Sequence, residues 1–279
     1  MTVALEGIAL HPVKSTAIRP VRRATVDPWG LVGDRRWMVT LPGGECLTAR
    51  EDHGLFAVTA DTPDSATGLG CALRLRAAGR PDLLVQEPHG EPATVTVHGR
   101  PLTGRDAGQE AAEWLGVSLG RDDVRLVHVA TPRGLNPRHA RPGEATAFAD
   151  GYPVTLASTV SLRRLRDWVT EVALERGEEP TDIGIERFRP NLVVDGDLEP
   201  FAEDHWASVT VGAVTFRVVK PVDRCVMTTI DPRSREGGRE PIRTLARHRA
   251  WDGRTWFAVQ LVPETAGELR IGDEVRPAG

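Results

Sequence analysis

The sequence predicts a mainly β protein with some α-helix (α+β), built from two β-rich, barrel-like units of which the second carries flanking helices. In the first hundred residues, short apolar runs alternate with turns rich in Gly and Pro. Helical spacing of apolar residues begins only after residue 103. The chain has 279 residues, which exceeds the usual size of one domain. We therefore predict two domains, residues 1–104 and residues 105–279.

In the first domain, strands are predicted where β-branched and apolar residues lie between turn residues. Breakers such as Pro42-Gly43-Gly44 and His98-Gly99 separate these strands. A helix is expected behind Asp106, a good N-cap residue, because apolar residues recur at helical spacing between 107 and 115. The predicted strands are 3–10, 22–26, 35–40, 55–59, 73–76, 83–86 and 94–98.

In the second domain, the clearest helix is predicted over residues 158–176, since its apolar side chains share one face. The segment 131–144 has little apolar content and is expected to be a loop. The tail, 268–275, predicts a closing hairpin that turns at Gly272-Asp273. Further elements are a helix at 242–248 and strands at 124–129, 191–194, 208–211, 215–219 and 255–262.

Charge and hydropathy exclude several classes of partner. The formal net charge of -4 gives no general attraction to nucleic acid or to anionic membranes. The longest apolar runs fall far short of the roughly 20 residues that a membrane helix needs. The beginning of the chain shows no signal-peptide pattern. We therefore expect a cytoplasmic protein without nucleic-acid or membrane partners.

The three cysteines, Cys46, Cys71 and Cys225, form no C-x-x-C pair, which excludes zinc fingers, Cys₄ iron–sulfur clusters and a disulfide framework. Cys46 and Cys71 are interpreted as small core residues. Cys225 ends the basic stretch K-P-V-D-R-C behind a predicted strand. Neighbouring cations favour a thiolate, and a thiolate binds thiophilic metals. The alternative is a buried core cysteine.

Two further segments carry groups that bind anions. Arg189 and Asn191 flank a rigid proline before a strand, where a guanidinium offers a planar fork to phosphate and an amide can pair with a heterocycle edge. Lys14 and Ser15 follow the first strand, and with Arg35 they could grip a phosphate, although the spacing is not that of a P-loop. For the segment of Arg189 and Asn191 the alternative is a solvated loop with a salt bridge.

The motifs H-P-V-K-S, G-D-R-R-W, L-T-A-R-E, F-A-D-x-x-P, R-F-R-P-N, E-D-x-W and R-C-x-x-T-x-x-D-P occur in this order. The ordered set resembles the MOSC family with its N-terminal β-barrel domain, the group that includes the mitochondrial amidoxime-reducing component and its bacterial relatives. The resemblance covers almost the whole chain. It implies that residues 1–104 form the N-terminal β-barrel domain and residues 105–279 the MOSC domain.

The resemblance also implies a cofactor, the molybdenum–molybdopterin cofactor, and a catalytic residue, Cys225, which would be the protein ligand to the metal. Pyridoxal phosphate is not expected. The residues that would hold the pterin and its phosphate are Lys14, Ser15, Arg35, Arg189 and Asn191. Residues in matching segments that could contact the pterin or the surroundings of the metal are Asp150, Ser158, Ser161 and Thr228, with helix or turn caps as the alternative for the first three.

The implied activity is a molybdenum-dependent oxidoreductase that reduces N-hydroxylated, amidoxime-type substrates. The sequence lacks the C-x₄-C-x₂-C spacing of a plant-type ferredoxin and a dinucleotide fingerprint. Electrons are therefore expected from a separate protein, a [2Fe-2S] ferredoxin or a haem carrier with its reductase. The alternative function is a carrier of molybdenum cofactor or sulfur without turnover, since other MOSC domains lie at the end of cofactor sulfurases.

Overall fold

The computed structural model describes residues 2–279, which form two compact units. The C-terminal unit contains the chain up to Ala9, the segment Arg22–Val26 and residues Val154–Gly279. The N-terminal unit contains Leu10–Val21 and Asp27–Pro153. The α+β class is confirmed, and the domain division at residue 104 stays a prediction.

The elements, in chain order, are the strands β1 Ala4–Leu10, β2 Arg19–Val21, β3 Arg23–Asp27, β4 Gly30–Leu31, β5 Trp37–Thr40, β6 Thr59–Asp61, β7 Leu73–Arg76, β8 Leu83–Val85, β9 Ala93–Val97, β10 Arg100–Asp106, β11 Arg125–Thr131, β12 Arg133–Gly134, β13 Ala145–Thr146, β14 Val154–Ser158, β15 Leu192–Asp195, β16 Ser208–Val211, β17 Val214–Asp223, β18 Ala250–Trp251, β19 Arg254–Pro263, β20 Gly267–Arg270 and β21 Val275–Ala278. The α-helices are α1 Gln109–Leu119, α2 Thr159–Glu175 and α3 Ile242–His248. Short 3₁₀ helices cover His53–Ala57, Ile185–Phe188, Ala202–His205 and Val226–Thr229.

A sheet with the strand order β1-β15-β14-β19-β17-β16-β21 forms the frame of the C-terminal unit. Neighbouring strands are antiparallel except β14 and β15, which are parallel. A parallel pair needs a long crossover connection, and the amphipathic helix α2 supplies it. Its buried Leu162, Leu165 and Val169 pack with Phe188 and Phe257, and each such side chain contributes about 1.5–3 kcal/mol by burial.

Helix α2 begins where the sequence predicts. The hydroxyl of Ser158 accepts a hydrogen bond from Val160 N at 3.1 Å. Ser158 is therefore the N-cap of α2, which is the alternative given above to a contact with the pterin. The helix ends shortly before Gly177, whose φ of +65° is accessible to glycine without strain. The prediction of this helix is confirmed.

The N-terminal unit contains the sheet β5-β11-β10-β9 and the smaller sheet β6-β7-β8. Helix α1 packs on β11. The core of this unit includes Met38, Val95, Val127 and Phe148. This packing places the segments after β1 and before β5, which carry the H-P-V-K-S and G-D-R-R-W motifs, within one unit.

Two of the predicted elements are wrong. Residues 55–59 do not form a strand, because Asp52 accepts a hydrogen bond from Gly54 N and caps the 3₁₀ helix His53–Ala57. The tail turns at Gly272 as predicted, but its strands do not pair with each other. Strand β20 pairs with β3 and β21 pairs with β16, so both satisfy their backbone groups on strands distant in sequence.

Candidate cofactor site

Cys225 lies two residues after β17, at the start of the 3₁₀ helix Val226–Thr229. The residue is exposed, so the alternative of a core cysteine is wrong. Thr228 donates hydrogen bonds from its N and Oγ1 to the carbonyl of Cys225, at 3.1 and 3.0 Å. We call residues 224–231 the thiol turn. Its hydrogen bonds fix the backbone of Cys225 while leaving the thiol accessible to a ligand.

Arginines tie the thiol turn to the R-F-R-P-N segment. Arg224 donates from Nη1 to the carbonyl of Phe188 at 3.0 Å. Arg187, which is buried, donates from Nη1 to the carbonyl of Thr229 at 3.1 Å and from Nη2 to Asp231 Oδ2 at 2.8 Å. Sequence reasoning did not assign a role to either arginine. Both lie in the quoted motifs, which is the only signal that could have found them.

Arg189 and Asn191 are both held inside the C-terminal unit. The Asn191 side chain is fully buried, donates from Nδ2 to the carbonyl of Ala9 at 3.1 Å and accepts from Thr155 N at 3.2 Å. This amide therefore joins the backbones around it and fixes the start of β15. Arg189 is 9% exposed and ends the 3₁₀ helix before the proline. Their role as pterin ligands stays a prediction.

The structure brings Lys14, Ser15 and Arg35 together in the N-terminal unit. Lys14 N donates to the carbonyl of Trp37 at 2.8 Å, and Arg35 N donates to the carbonyl of His11 at 2.9 Å. The H-P-V-K-S and G-D-R-R-W segments therefore run side by side, as a phosphate site built from both segments requires. Lys14 and Ser15 are 4% and 5% exposed.

The Lys14 ammonium is fixed by the segment around Asp150. Lys14 Nζ donates to the carbonyl of Phe148 at 2.9 Å and forms an ion pair with Asp150. His98 Nε2 lies 2.9 Å from Asp150 Oδ1. Partial burial acts to raise the pKa of Asp150, but the Lys14 charge and the hydrogen bonds with His98 and Lys14 outweigh it and hold the pKa well below its ordinary value. Asp150 thus carries a negative charge that orients Lys14.

Positive φ angles mark three of the six predicted site residues. Within residues 2–279, eight non-glycine residues have φ between +48° and +69°. Ser15, Arg35 and Arg189 are among them, at 69°, 48° and 50°. Such a backbone costs about 1–3 kcal/mol per residue and persists where the surroundings enforce it, often at functional sites. This strain is independent of the motifs that first pointed to the same residues.

The other two cysteines do not resemble Cys225. Cys71 is buried, and Cys46 packs against the core of the N-terminal unit. Burial raises the pKa of the Cys46 thiol to about 11, so this thiol is protonated at neutral pH. Both fit the interpretation as core residues.

The donor groups fit a molybdenum–pterin cofactor better than a metal bound by protein groups alone. In the described part of the chain, no group of three or more His, Cys, Asp or Glu side chains could hold a metal ion. An accessible thiol would provide one soft ligand, and a dithiolene pterin would provide further sulfurs. The cationic Lys14, Arg35 and Arg189 suit the negative charge of a phosphorylated pterin.

Comparison with known proteins identifies the family. The MOSC N-terminal beta barrel domain matches residues 2–122, and the MOSC domain matches residues 143–276. The chain is 32% identical to human mitochondrial amidoxime-reducing component 1 over 95% of its own length and 80% of that protein. The chain belongs to the MOSC family. This family is associated with the molybdenum cofactor, which agrees with the donor groups described above.

Other relatives are named either as amidoxime-reducing components or as molybdenum cofactor sulfurases. Human mitochondrial amidoxime reducing component 2 is 29% identical over 95% of this chain and 81% of that protein. The molybdenum cofactor sulfurase of Danio rerio is 28% identical over 98% of this chain but only 34% of that protein. Among residues 2–279, the helices are all too short or too polar to cross a membrane.

Proposed function

We propose that this MOSC protein is a molybdenum-cofactor-dependent oxidoreductase that reduces N-hydroxylated, amidoxime-type substrates. Similarity to the amidoxime-reducing components over nearly the whole chain supports the reaction class. The observation that carries the proposal is the exposed Cys225 on a thiol turn whose backbone is fixed by Thr228 and Arg187. A rigid, accessible thiol is what a single protein ligand to a cofactor metal requires.

The residues divide the work of holding the cofactor. Cys225 supplies the protein bond to the metal, and Lys14 supplies a compact charge for phosphate while Arg35 and Arg189 supply planar forks. The hydroxyl of Ser15 and the amide of Asn191 add neutral contacts to the cofactor, and Asn191 also fixes the strand that follows Arg189. The bound cofactor would supply two-electron chemistry at the N–O bond. Overall, two electrons and two protons convert the N-hydroxyl compound to the N–H compound and water.

The electrons come, in this proposal, from a separate protein, a [2Fe-2S] ferredoxin or a haem carrier with its reductase. The segment after the thiol turn is exposed and basic, since residues 233–239 contain Arg233, Arg235 and Arg239 against a single acid, Glu236. Such a segment suits a transient contact with an acidic electron carrier. We place the reaction in the cytoplasm, with no nucleic acid or membrane as partner.

A second candidate is a carrier that transfers molybdenum cofactor or sulfur without substrate turnover. The similarity to a molybdenum cofactor sulfurase over 98% of this chain favours it. A carrier needs the same residues to hold the cofactor but no site for an N-hydroxylated substrate. The two functions therefore differ in turnover and not in metal content.

The test is to purify the protein from cells that make the cofactor, measure molybdenum and pterin per chain, and assay reduction of benzamidoxime with a chemical reductant. The oxidoreductase predicts bound molybdenum and turnover. Bound molybdenum without turnover would favour the carrier. A protein free of molybdenum and pterin would contradict both functions.

A further inference from the structure

Arg133 is a buried cation whose contacts are concentrated on one backbone segment of the N-terminal unit. Its side chain is 8% exposed. The single nitrogen Nη2 donates to the carbonyls of Ala149, Asp150 and Gly151 at 2.5, 2.8 and 3.3 Å. Among residues 2–279, neither Nε nor Nη1 of Arg133 has a hydrogen-bond partner. The guanidinium therefore holds the 149–151 backbone and little else.

The charge of Arg133 is only partly compensated by its surroundings. Burial lowers the pKa of Arg133 and the charge of Arg100 acts in the same direction, whereas Asp150 and Tyr152 act to raise it. Two of its three nitrogens lack hydrogen-bond partners among residues 2–279, which is unfavourable for a buried donor, so its favourable contacts are the carbonyls that Nη2 reaches. The three carbonyl contacts are thus the property that only this side chain provides.

The segment that Arg133 holds is the one that orients Lys14. The Lys14 ammonium donates to the carbonyl of Phe148, pairs with Asp150, and is itself only 4% exposed. An unbroken series of contacts therefore runs from Arg133 through residues 148–151 to Lys14. All of these residues belong to the N-terminal unit.

We propose that Arg133 is a positioning residue: by holding the backbone of residues 149–151, it fixes the direction of the Lys14 ammonium and so the charge offered to the cofactor phosphate. The last step rests on the proposed function, whereas the coupling of Arg133 to Lys14 does not. Arg133 itself contacts neither metal nor substrate.

The composition of the chain gives a direct test by NMR, because its only lysines are Lys14 and Lys220. Protein labelled with ¹⁵N-lysine should show two ammonium signals, which Lys220→Arg assigns. In the apo-protein, Arg133→Met should speed proton exchange at the Lys14 ammonium, since the backbone that carries its acceptors loses its support. The Lys220 signal should not change. Arg138→Met is the matched control, because Arg138 is an exposed arginine in the connection between β12 and β13.

An unchanged Lys14 signal in folded Arg133→Met would overturn the proposal. Equal changes at Lys14 and Lys220 would also overturn it, because they would show a general loss of structure. If Arg133→Met does not fold, Arg133→Lys replaces it under the same criteria, with the added signal identified by comparison with wild type. This variant keeps the charge but shortens the reach to the three carbonyls.

Cofactor content tests the last step. Arg133→Met purified from cofactor-competent cells should retain about tenfold less molybdenum and pterin than wild type and Arg138→Met, as expected when the support of a ligand is removed. Equal content despite a changed Lys14 signal would overturn the link to the cofactor. If the wild type itself contains no molybdenum, the proposed function fails, and the NMR experiment alone decides the coupling of Arg133 to Lys14.

Discussion

Glu203 should make the stability of this protein depend on pH in a way that a single substitution removes. Its side chain is fully buried, and Ser161 Oγ donates to Oε2 at 2.9 Å. Within residues 2–279, Oε1 has no hydrogen-bond partner. Burial raises the pKa of Glu203 from 4.5 to about 7 and outweighs the hydrogen bond from Ser161.

The sign follows from the two pKa values. Between pH 4.5 and about 7, the folded protein keeps a proton on Glu203 that the unfolded chain has released. The resulting stabilisation is fully present below pH 4.5 and is lost as pH rises through about 7. At about 1.4 kcal/mol per pKa unit, the shift corresponds to roughly 3 kcal/mol, most of which is lost between pH 5 and pH 8.

The perturbation is Glu203→Gln, which keeps the size of the side chain and an acceptor for Ser161 but does not titrate. Urea unfolding followed by tryptophan fluorescence at pH 5, 6, 7 and 8 gives the free energy of unfolding of each protein. The wild type should lose about 2–3 kcal/mol more than the variant across this range. Glu178→Gln is the control, because this exposed glutamate is paired with arginines and its lowered pKa places its titration below the range. Parallel curves for wild type and Glu203→Gln would refute the reasoning.

Three further predictions concern the cofactor and its electrons. Cys225→Ala should keep the fold but lose molybdenum and turnover. Cys71→Ala should keep molybdenum and turnover but lose about 1–2 kcal/mol of stability. Metal analysis, activity assays and thermal unfolding measure these effects, and normal activity in Cys225→Ala would contradict the ligand assignment. Arg189→Lys should retain less pterin by fluorescence after gel filtration, because an ammonium does not reproduce a planar fork, and equal pterin content would make Arg189 a structural charge only. The protein should be inactive with NADH alone and active once a [2Fe-2S] or haem carrier and its reductase are added. Its rate should fall with salt as the Debye length shrinks from about 10 Å at 0.1 M to about 3 Å at 1 M, and turnover with NADH alone would overturn the external donor.

The secondary structure was predictable where the determining signals are local. Helix α2 has a serine N-cap and an apolar face, so its bounds were found to within about one residue. The tail was not predictable in the same way. A turn at Gly272 looks like a hairpin in sequence, but the partners of β20 and β21 are β3 and β16, and pairing over such separations leaves no local pattern.

The site was predictable as a set of residue types but not as a set of contacts. The motifs identified Lys14 and Arg35, and the structure places their segments side by side. No sequence pattern shows that Arg35 and Arg189 adopt φ near +50°, because only glycine, and less often Asn or Asp, signals that region. The partners of Arg133, and one of the two partners of Arg187, are backbone carbonyls, which carry no identity in a sequence.

These contacts show that not every cation in the motifs is available to bind a cofactor. Arg187 and Arg224 of the motifs donate to backbone carbonyls, and Arg187 also pairs with Asp231, so their charge is directed at the fold. Arg133, which lies outside the motifs, likewise donates to backbone carbonyls. Counting every arginine of the motifs as a cofactor contact would therefore overstate the number of residues that bind the pterin. The arginines that hold backbone instead fix the thiol turn and the Lys14 ammonium. The sequence motif thus combines residues that would bind the cofactor with residues that hold them in place, and substitution of the second group should lower cofactor retention without removing a ligand.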